Sequence, residues 1–185
     1  MSVGQVRGPS MGASKLHRSL VDYLYRLPDD VDRTALLACL QRWLAHFVGE
    51  FGKPIRLEYG LDKYVDLDLL RYPLSRTALE AAHALRCLRS HERPTLESLA
   101  SAVSSAFRQG ITVASEVDCP RCWGPDGLKF LESPTTNMLV LACDTCGRAQ
   151  DTQGQEWSAT EGKRLRAPEE ARFAVWDRRE IRPIA

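Results

Sequence analysis

Cys119-Pro120-Arg121-Cys122 and Cys143-Asp144-Thr145-Cys146 are two C-x2-C pairs with 20 residues between them. Four thiolates delivered in two such pairs match the tetrahedral shell of a zinc ion. Between the pairs, Leu128-Lys129-Phe130-Leu131, then Pro134-Thr135-Thr136-Asn137, then Met138-Leu139-Val140-Leu141 read as strand, turn, strand. That connection brings the two pairs face to face. Glycine follows each pair, Gly124 after Cys122-Trp123 and Gly147 directly after Cys146. A chain that wraps its N–H groups around sulfur often needs a positive φ, which glycine adopts cheaply. The ordinary alternative is a set of buried thiols or a redox pair, and two facing pairs at this spacing favour the metal.

With these features, residues 113–150 resemble a zinc ribbon. The resemblance implies two knuckles and a small antiparallel sheet, with Cys119, Cys122, Cys143 and Cys146 as ligands. It implies no particular activity, because ribbons serve nucleic-acid-binding, enzymatic and purely structural roles. A catalytic zinc keeps one position open for water, and four thiolates close the shell, so the expected zinc is structural. It supplies folding free energy to a segment too small to stabilise itself.

Outward from the cysteines, the period changes. Leu16, Leu20, Tyr23, Leu24 and Leu27 have helical spacing, and Pro28-Asp29-Asp30 ends the helix. Leu36, Leu40, Trp43, Leu44, Phe47, Val48 and Phe51 form the stripe of a second helix closed by Gly52. Ile55, Leu57 and Tyr59, then Val65, Leu67 and Leu69, alternate with polar residues around Gly60-Leu61-Asp62, which predicts a β-hairpin. Thr77 and Glu80 form a capping box for a third helix with Ala78, Ala81, Ala82, Leu85 and Leu88 inward. Pro94-Thr95 opens a fourth, carrying Leu96, Leu99, Val103 and Phe107 and ended by Gly110. The expected fold class is α+β. A flexible tail (1–12) precedes a mainly helical domain with one short hairpin (13–110). A zinc ribbon (111–150) and a polar extension (151–185) follow, the latter with a short terminal helix over 168–180.

Composition limits the function classes. With 25 basic and 24 acidic side chains the formal charge is +1, neither a polycationic nucleic-acid coat nor an acidic tail. Residues 1–12 lack the apolar run of a secretion signal, and nowhere do 18 apolar residues run together. The expected location is the cytoplasm, where thiols stay reduced, with no membrane partner. Arginine (20) far exceeds lysine (5), and Asn137 is the only asparagine, a bias that points to a GC-rich bacterial or phage genome.

Other candidate sites are each weighed against an ordinary role. Glu80, His83, Cys87 and His91 share one face of the third helix, opposite Leu85. A Glu-x-x-His step serves di-iron sites only in two copies, and there is no second copy, so a polar surface face is expected. Glu58, Asp62, Asp66 and Asp68 (the acidic stretch 58–68) offer carboxylates for a hard cation, but alternation with apolar residues reads as a solvated face. The arginine clusters at 163–166 (Lys163, Arg164, Arg166) and 178–182 (Arg178, Arg179, Arg182) are diluted, since residues 119–185 hold 10 basic and 10 acidic groups. Trp123 and Trp157 suit stacking on bases, with packing against the protein the expected role. Cys39 and His46 fall at the core and core edge of the second helix. No G-x-S-x-G, P-loop or G-x-G-x-x-G is present.

Three functions fit this pattern. The first is a non-enzymatic, zinc-stabilised module that binds another protein, of the bacterial immunity or inhibitor type. The alternative is a nucleic-acid-binding regulator, because Thr77 to Val103 resembles the opening helices of a winged helix beside a ribbon. That resemblance lacks a third recognition helix, and the even charge does not favour nucleic acid. An enzyme using the acidic stretch ranks last, and no catalytic residue is assigned.

Overall fold

A computed structural model describes residues 12–72, 78–90, 94–115, 117–123, 127–157, 165–169 and 172, with the backbone alone for 78–82. The chain divides into two units, Met1–Leu67 with Arg76–Phe107, and Asp68–Ser75 with Arg108–Ala185. Among the described residues, six α-helices and one four-stranded antiparallel sheet make the protein α+β.

The first unit is helical because its apolar residues recur at three- and four-residue steps. Helix α1 (Ala13–Leu24) buries Leu16, Leu20 and Leu24. Helix α2 (Arg33–Phe47) starts at Asp32, whose carboxylate accepts from the Ala35 N–H at 2.7 Å, and buries Leu36, Leu40, Trp43 and Leu44. The Trp43 indole N–H donates to Ser19 Oγ at 2.9 Å, so the largest core side chain of α2 is also polar-paired to α1. A 3-10 turn (Val48–Glu50) then carries the chain to the buried Phe51.

The expected hairpin over 55–69 does not form. Its place is taken by helix α3 (Lys53–Tyr59) and the single turn α4 (Asp62–Val65). Pro54 sits in the first turn of α3, where its missing N–H costs nothing, and Gly60 ends the helix in the left-handed conformation (φ 61°, ψ 35°). Leu61 and Tyr64, three residues apart, are the buried anchors, whereas Leu57 is 67% exposed. The alternation of Ile55, Leu57 and Tyr59 is therefore not a burial pattern. Proline at the start and glycine past the end of a seven-residue helix outweigh three alternating positions.

Helix α5 (Ala78–Arg89) buries Leu85 and Leu88. Its last residue, Arg89, donates to the carbonyls of Leu24 (2.7 Å) and Leu27 (3.1 Å) and pairs with Asp29 (2.9 Å), closing the C-terminal end of α1. Helix α6 (Leu96–Ile111) opens on a reciprocal cap, Ser98 N–H to Thr95 Oγ1 and Thr95 N–H to Ser98 Oγ. It buries Leu99, Val103 and Phe107, and Phe107 stacks on Tyr64 with centroids 4.5 Å apart. The helix runs through Gly110 to Ile111, because Gly110 keeps a negative φ and so does not act as the stop.

In the second unit, β1 (Val113–Ala114), β2 (Lys129–Glu132), β3 (Leu139–Ala142) and β4 (Ala149–Asp151) lie in sequence order, each antiparallel to the next. The pairs Phe130↔Leu141 and Leu141↔Gln150 set the register. One face packs Phe130, Leu139 and Leu141 with Leu128, Cys119 and Cys143; the other packs Val140, Ala142 and Ala149 under Leu131, Trp157 and Leu165. The β2–β3 turn places Asn137 at φ 55°, a position that asparagine tolerates better than other side chains. Strand β4 straddles the expected boundary between the ribbon (111–150) and the polar extension (151–185). Beyond it, Arg166 pairs through its backbone with Glu132 (2.8 and 3.0 Å), and the buried Glu132 carboxylate meets Arg172 (2.6 Å) and Arg166 (3.4 Å).

The tail over 1–12, apart from Gly12, the Thr77 half of the capping box and most of the terminal helix over 168–180 lie outside the described residues. Among the described residues no helix is long and apolar enough to cross a membrane.

Candidate metal centre

The topology of the sheet brings the cysteines together. In an antiparallel meander, the β1–β2 and β3–β4 connections leave from the same end, and each carries one C-x2-C pair. The two turns share one construction. The Trp123 N–H donates to the Cys119 carbonyl at 2.9 Å, and the Gly147 N–H donates to the Cys143 carbonyl at 3.0 Å. The residue after each pair is left-handed, Trp123 at φ 52° and Gly147 at φ 70°. The conformation expected of a glycine is thus carried by tryptophan in the first knuckle, while Gly124 lies outside the described residues.

The sulfurs of Cys119, Cys122, Cys143 and Cys146 all lie within 4.8 Å of one another. The near pairs run between the knuckles, Cys119 to Cys146 at 3.6 Å and Cys122 to Cys143 at 3.5 Å. A disulfide requires about 2.05 Å. Four sulfurs at about 2.3 Å from a central ion stand about 3.8 Å apart by tetrahedral geometry, so the observed spacing suits a shared ion and not a bond. Among the described residues this is the one group of three or more His, Cys, Asp or Glu side chains placed to hold a metal ion. Cys119 and Cys143 are buried against Leu128, Phe130, Leu139 and Leu141, while Cys122 and Cys146 are half-buried.

The electrostatics favour thiolate at the first position. Burial pushes the Cys119 thiol up, but the backbone N–H groups of Cys122 and Arg121, with the neighbouring Cys146 and Cys143 thiols, outweigh it and bring the pKa to about 7. Gly127 lies at the base of the loop that carries Cys119 and Cys122, where the chain entering β2 runs against Ser115 and Val117. It is left-handed (φ 65°), and a Cβ there would come within 2.3 Å of the Ser115 carbonyl oxygen. That close approach allows the bonds Ser115 N–H to Leu128 O (2.7 Å) and Leu128 N–H to Val117 O (2.8 Å).

The other sequence candidates stay apart. Glu58, Asp62, Asp66 and Asp68 are all exposed and do not converge. Asp62 pairs with Arg56 at 3.0 Å, and Asp68 accepts from the Leu70 N–H. His83 and Cys87 face solvent on α5, opposite the buried Leu85; the Glu80 side chain and His91 lie outside the description. Of the arginine clusters only Arg166 is described, at the backbone bridge to Glu132. Cys39 is buried and donates to the Tyr23 carbonyl (3.4 Å), a core role; burial pushes its thiol up. His46 is exposed and bonds the Arg42 carbonyl.

Trp157 packs on the sheet as expected, but Trp123 does not pack; it is 77% exposed. Proximity to the cysteines points to Gly124, one residue past the position that carries the conformation. Counting from the first cysteine of each pair would have matched Trp123 with Gly147 as the fifth residue. The chain matches no protein-family model, no curated protein and no solved structure.

Proposed function

We propose that the four cysteines hold a structural zinc ion in a ribbon over residues 111–150, and that the chain is a non-enzymatic module binding another protein through the first knuckle. The observation that carries the reading is Trp123, 77% exposed and left-handed beside the cysteine cluster. A bulky residue with positive φ costs roughly 1–3 kcal/mol, which a chain retains where the side chain's direction matters. Tryptophan leads the residues that anchor protein interfaces, because its large rigid ring offers contact area for only two side-chain torsions. Four thiolates fill the tetrahedral shell, so the ion's role in this reading is to fix the knuckle that presents the indole.

A bacterial immunity or inhibitor-type protein acting in the cytoplasm is the setting this reading suits. A second reading rests on the same side chain: an exposed indole also stacks on a nucleobase, as in a nucleic-acid-binding regulator. The even charge of residues 119–185 supports the protein partner, because phosphate contacts require a local excess of cations.

The test is in-cell cross-linking from the first knuckle of the zinc-loaded protein, with and without Trp123→Gly, which keeps the backbone conformation. The expected outcome is one dominant protein adduct that Trp123→Gly abolishes. Cross-links to nucleic acid, with binding that falls steeply as salt rises, support the regulator instead. Adducts unchanged by the substitution refute both.

A further inference from the structure

We propose that His83 and Cys87 on α5 form a second, solvent-facing site for a borderline divalent transition-metal cation, of the class of Zn2+ or Co2+. The two residues are four apart, so they stand one above the other on the helix surface. The opposite face carries Leu85 and Leu88 into the core, and both His83 and Cys87 are exposed. Cys87 Sγ lies 3.5 Å from His83 Nε2. A cation bound at about 2.3 Å from sulfur and about 2.05 Å from nitrogen with a tetrahedral angle between them sets those atoms about 3.6 Å apart. The imidazole is therefore already turned with Nε2 toward the sulfur, at the separation that two ligands of one ion adopt. Imidazole and thiolate are the pair that borderline cations such as zinc and cobalt prefer.

Without metal, Cys87 Sγ and His83 Nε2 stand at hydrogen-bonding distance. Binding a cation breaks the thiol's sulfur–hydrogen bond, releases that proton to water and forms the sulfur–metal and nitrogen–metal bonds. No oxidation state changes. Water completes the shell, because both side chains face solvent. Two protein ligands hold the ion far more weakly than four thiolates, so this site fills only after a cysteine centre does and exchanges freely.

The test uses the full chain, reduced and pre-equilibrated with one equivalent of zinc, then dialysed against increasing Co2+. Bound cobalt is counted, and the thiolate-to-cobalt charge-transfer absorption is read, since that band requires a sulfur ligand. The wild-type chain takes up one more equivalent than Cys87→Ser or His83→Gln, and the added band is absent from both variants. Because both positions are exposed, neither substitution disturbs the core. Equal uptake by the three proteins overturns the proposal. So does a band lost in Cys87→Ser but kept in His83→Gln, which marks a thiol acting without the ring. The difference of one equivalent does not depend on whether the four-cysteine centre binds zinc, so the two assignments fail separately.

Discussion

Trp123 and Gly147 occupy the same place in the two knuckles, and the pair gives two readings of one energy with opposite sign. Each N–H donates to the carbonyl of the first cysteine of its pair, and φ is 52° at Trp123 and 70° at Gly147. A side chain with a Cβ in this conformation costs roughly 1–2 kcal/mol, and glycine's greater freedom in the unfolded chain returns about 0.5–1 kcal/mol of that. Trp123 is 77% exposed, so little apolar burial is lost with it. Trp123→Gly therefore stabilises the sheet unit by about 0.5–1 kcal/mol. A Cβ added at Gly147 meets nothing within 4 Å, so Gly147→Ala carries only the conformational term and destabilises by about the same amount. Trp123→Ala relieves no strain and falls below Trp123→Gly by about 0.5–1 kcal/mol. Denaturant unfolding of the metal-loaded protein, followed by a signal from the sheet, measures all three. A loss of more than about 1 kcal/mol in Trp123→Gly, or a neutral Gly147→Ala, refutes the strain argument and with it the reason for singling out Trp123.

Arg89→Ala removes two bonds to carbonyls at the end of α1 and the pair with Asp29; it lowers the stability of the helical unit by about 2–3 kcal/mol, read by thermal or urea unfolding. Gly127→Ala drives a methyl against the Ser115 carbonyl in a left-handed conformation; it costs more than about 2 kcal/mol in the sheet unit and weakens metal binding, read by competition with a chromophoric chelator. The pH dependence follows from Cys119, whose pKa in the folded chain, about 7, lies below the ordinary 9.0. Its stabilising contribution without metal is present above pH 9 and lost as pH falls through about 7. Metal binding then draws less than one proton from Cys119 at pH 8 and closer to one at pH 6, while affinity falls; calorimetry in buffers of different ionisation enthalpy measures the change in the count.

The cysteine cluster was legible because its four residues are encoded as spacing, and spacing survives whatever the sheet does around it. Helices α1, α2 and α6 were legible for the same kind of reason: Leu16, Leu20 and Leu24, or Leu99, Val103 and Phe107, repeat long enough to define a face. The segment 53–65 was not, since three alternating residues fit a strand and a short helix equally well, and the decision lay with Pro54 and Gly60. Strand β4 is three residues long, too short for its own pattern to show, and Ala149 and Gln150 are buried where they pair with β3. The left-handed Trp123 was hidden because glycine usually marks that conformation, and Gly124 stood beside it. Gly110 misled in the opposite sense, as a glycine that remains in the helix.

Zinc in the cysteine centre is the central claim, and elemental analysis with chelation tests it most directly. The reduced chain purified without added chelator carries one zinc per molecule, and Cys119→Ser with Cys143→Ser carries none there. Stripping the ion with a strong chelator abolishes the sheet's near-ultraviolet signal while the helical far-ultraviolet signal persists. A chain that holds no zinc, cannot be loaded with it, and melts identically with and without chelator contradicts the account.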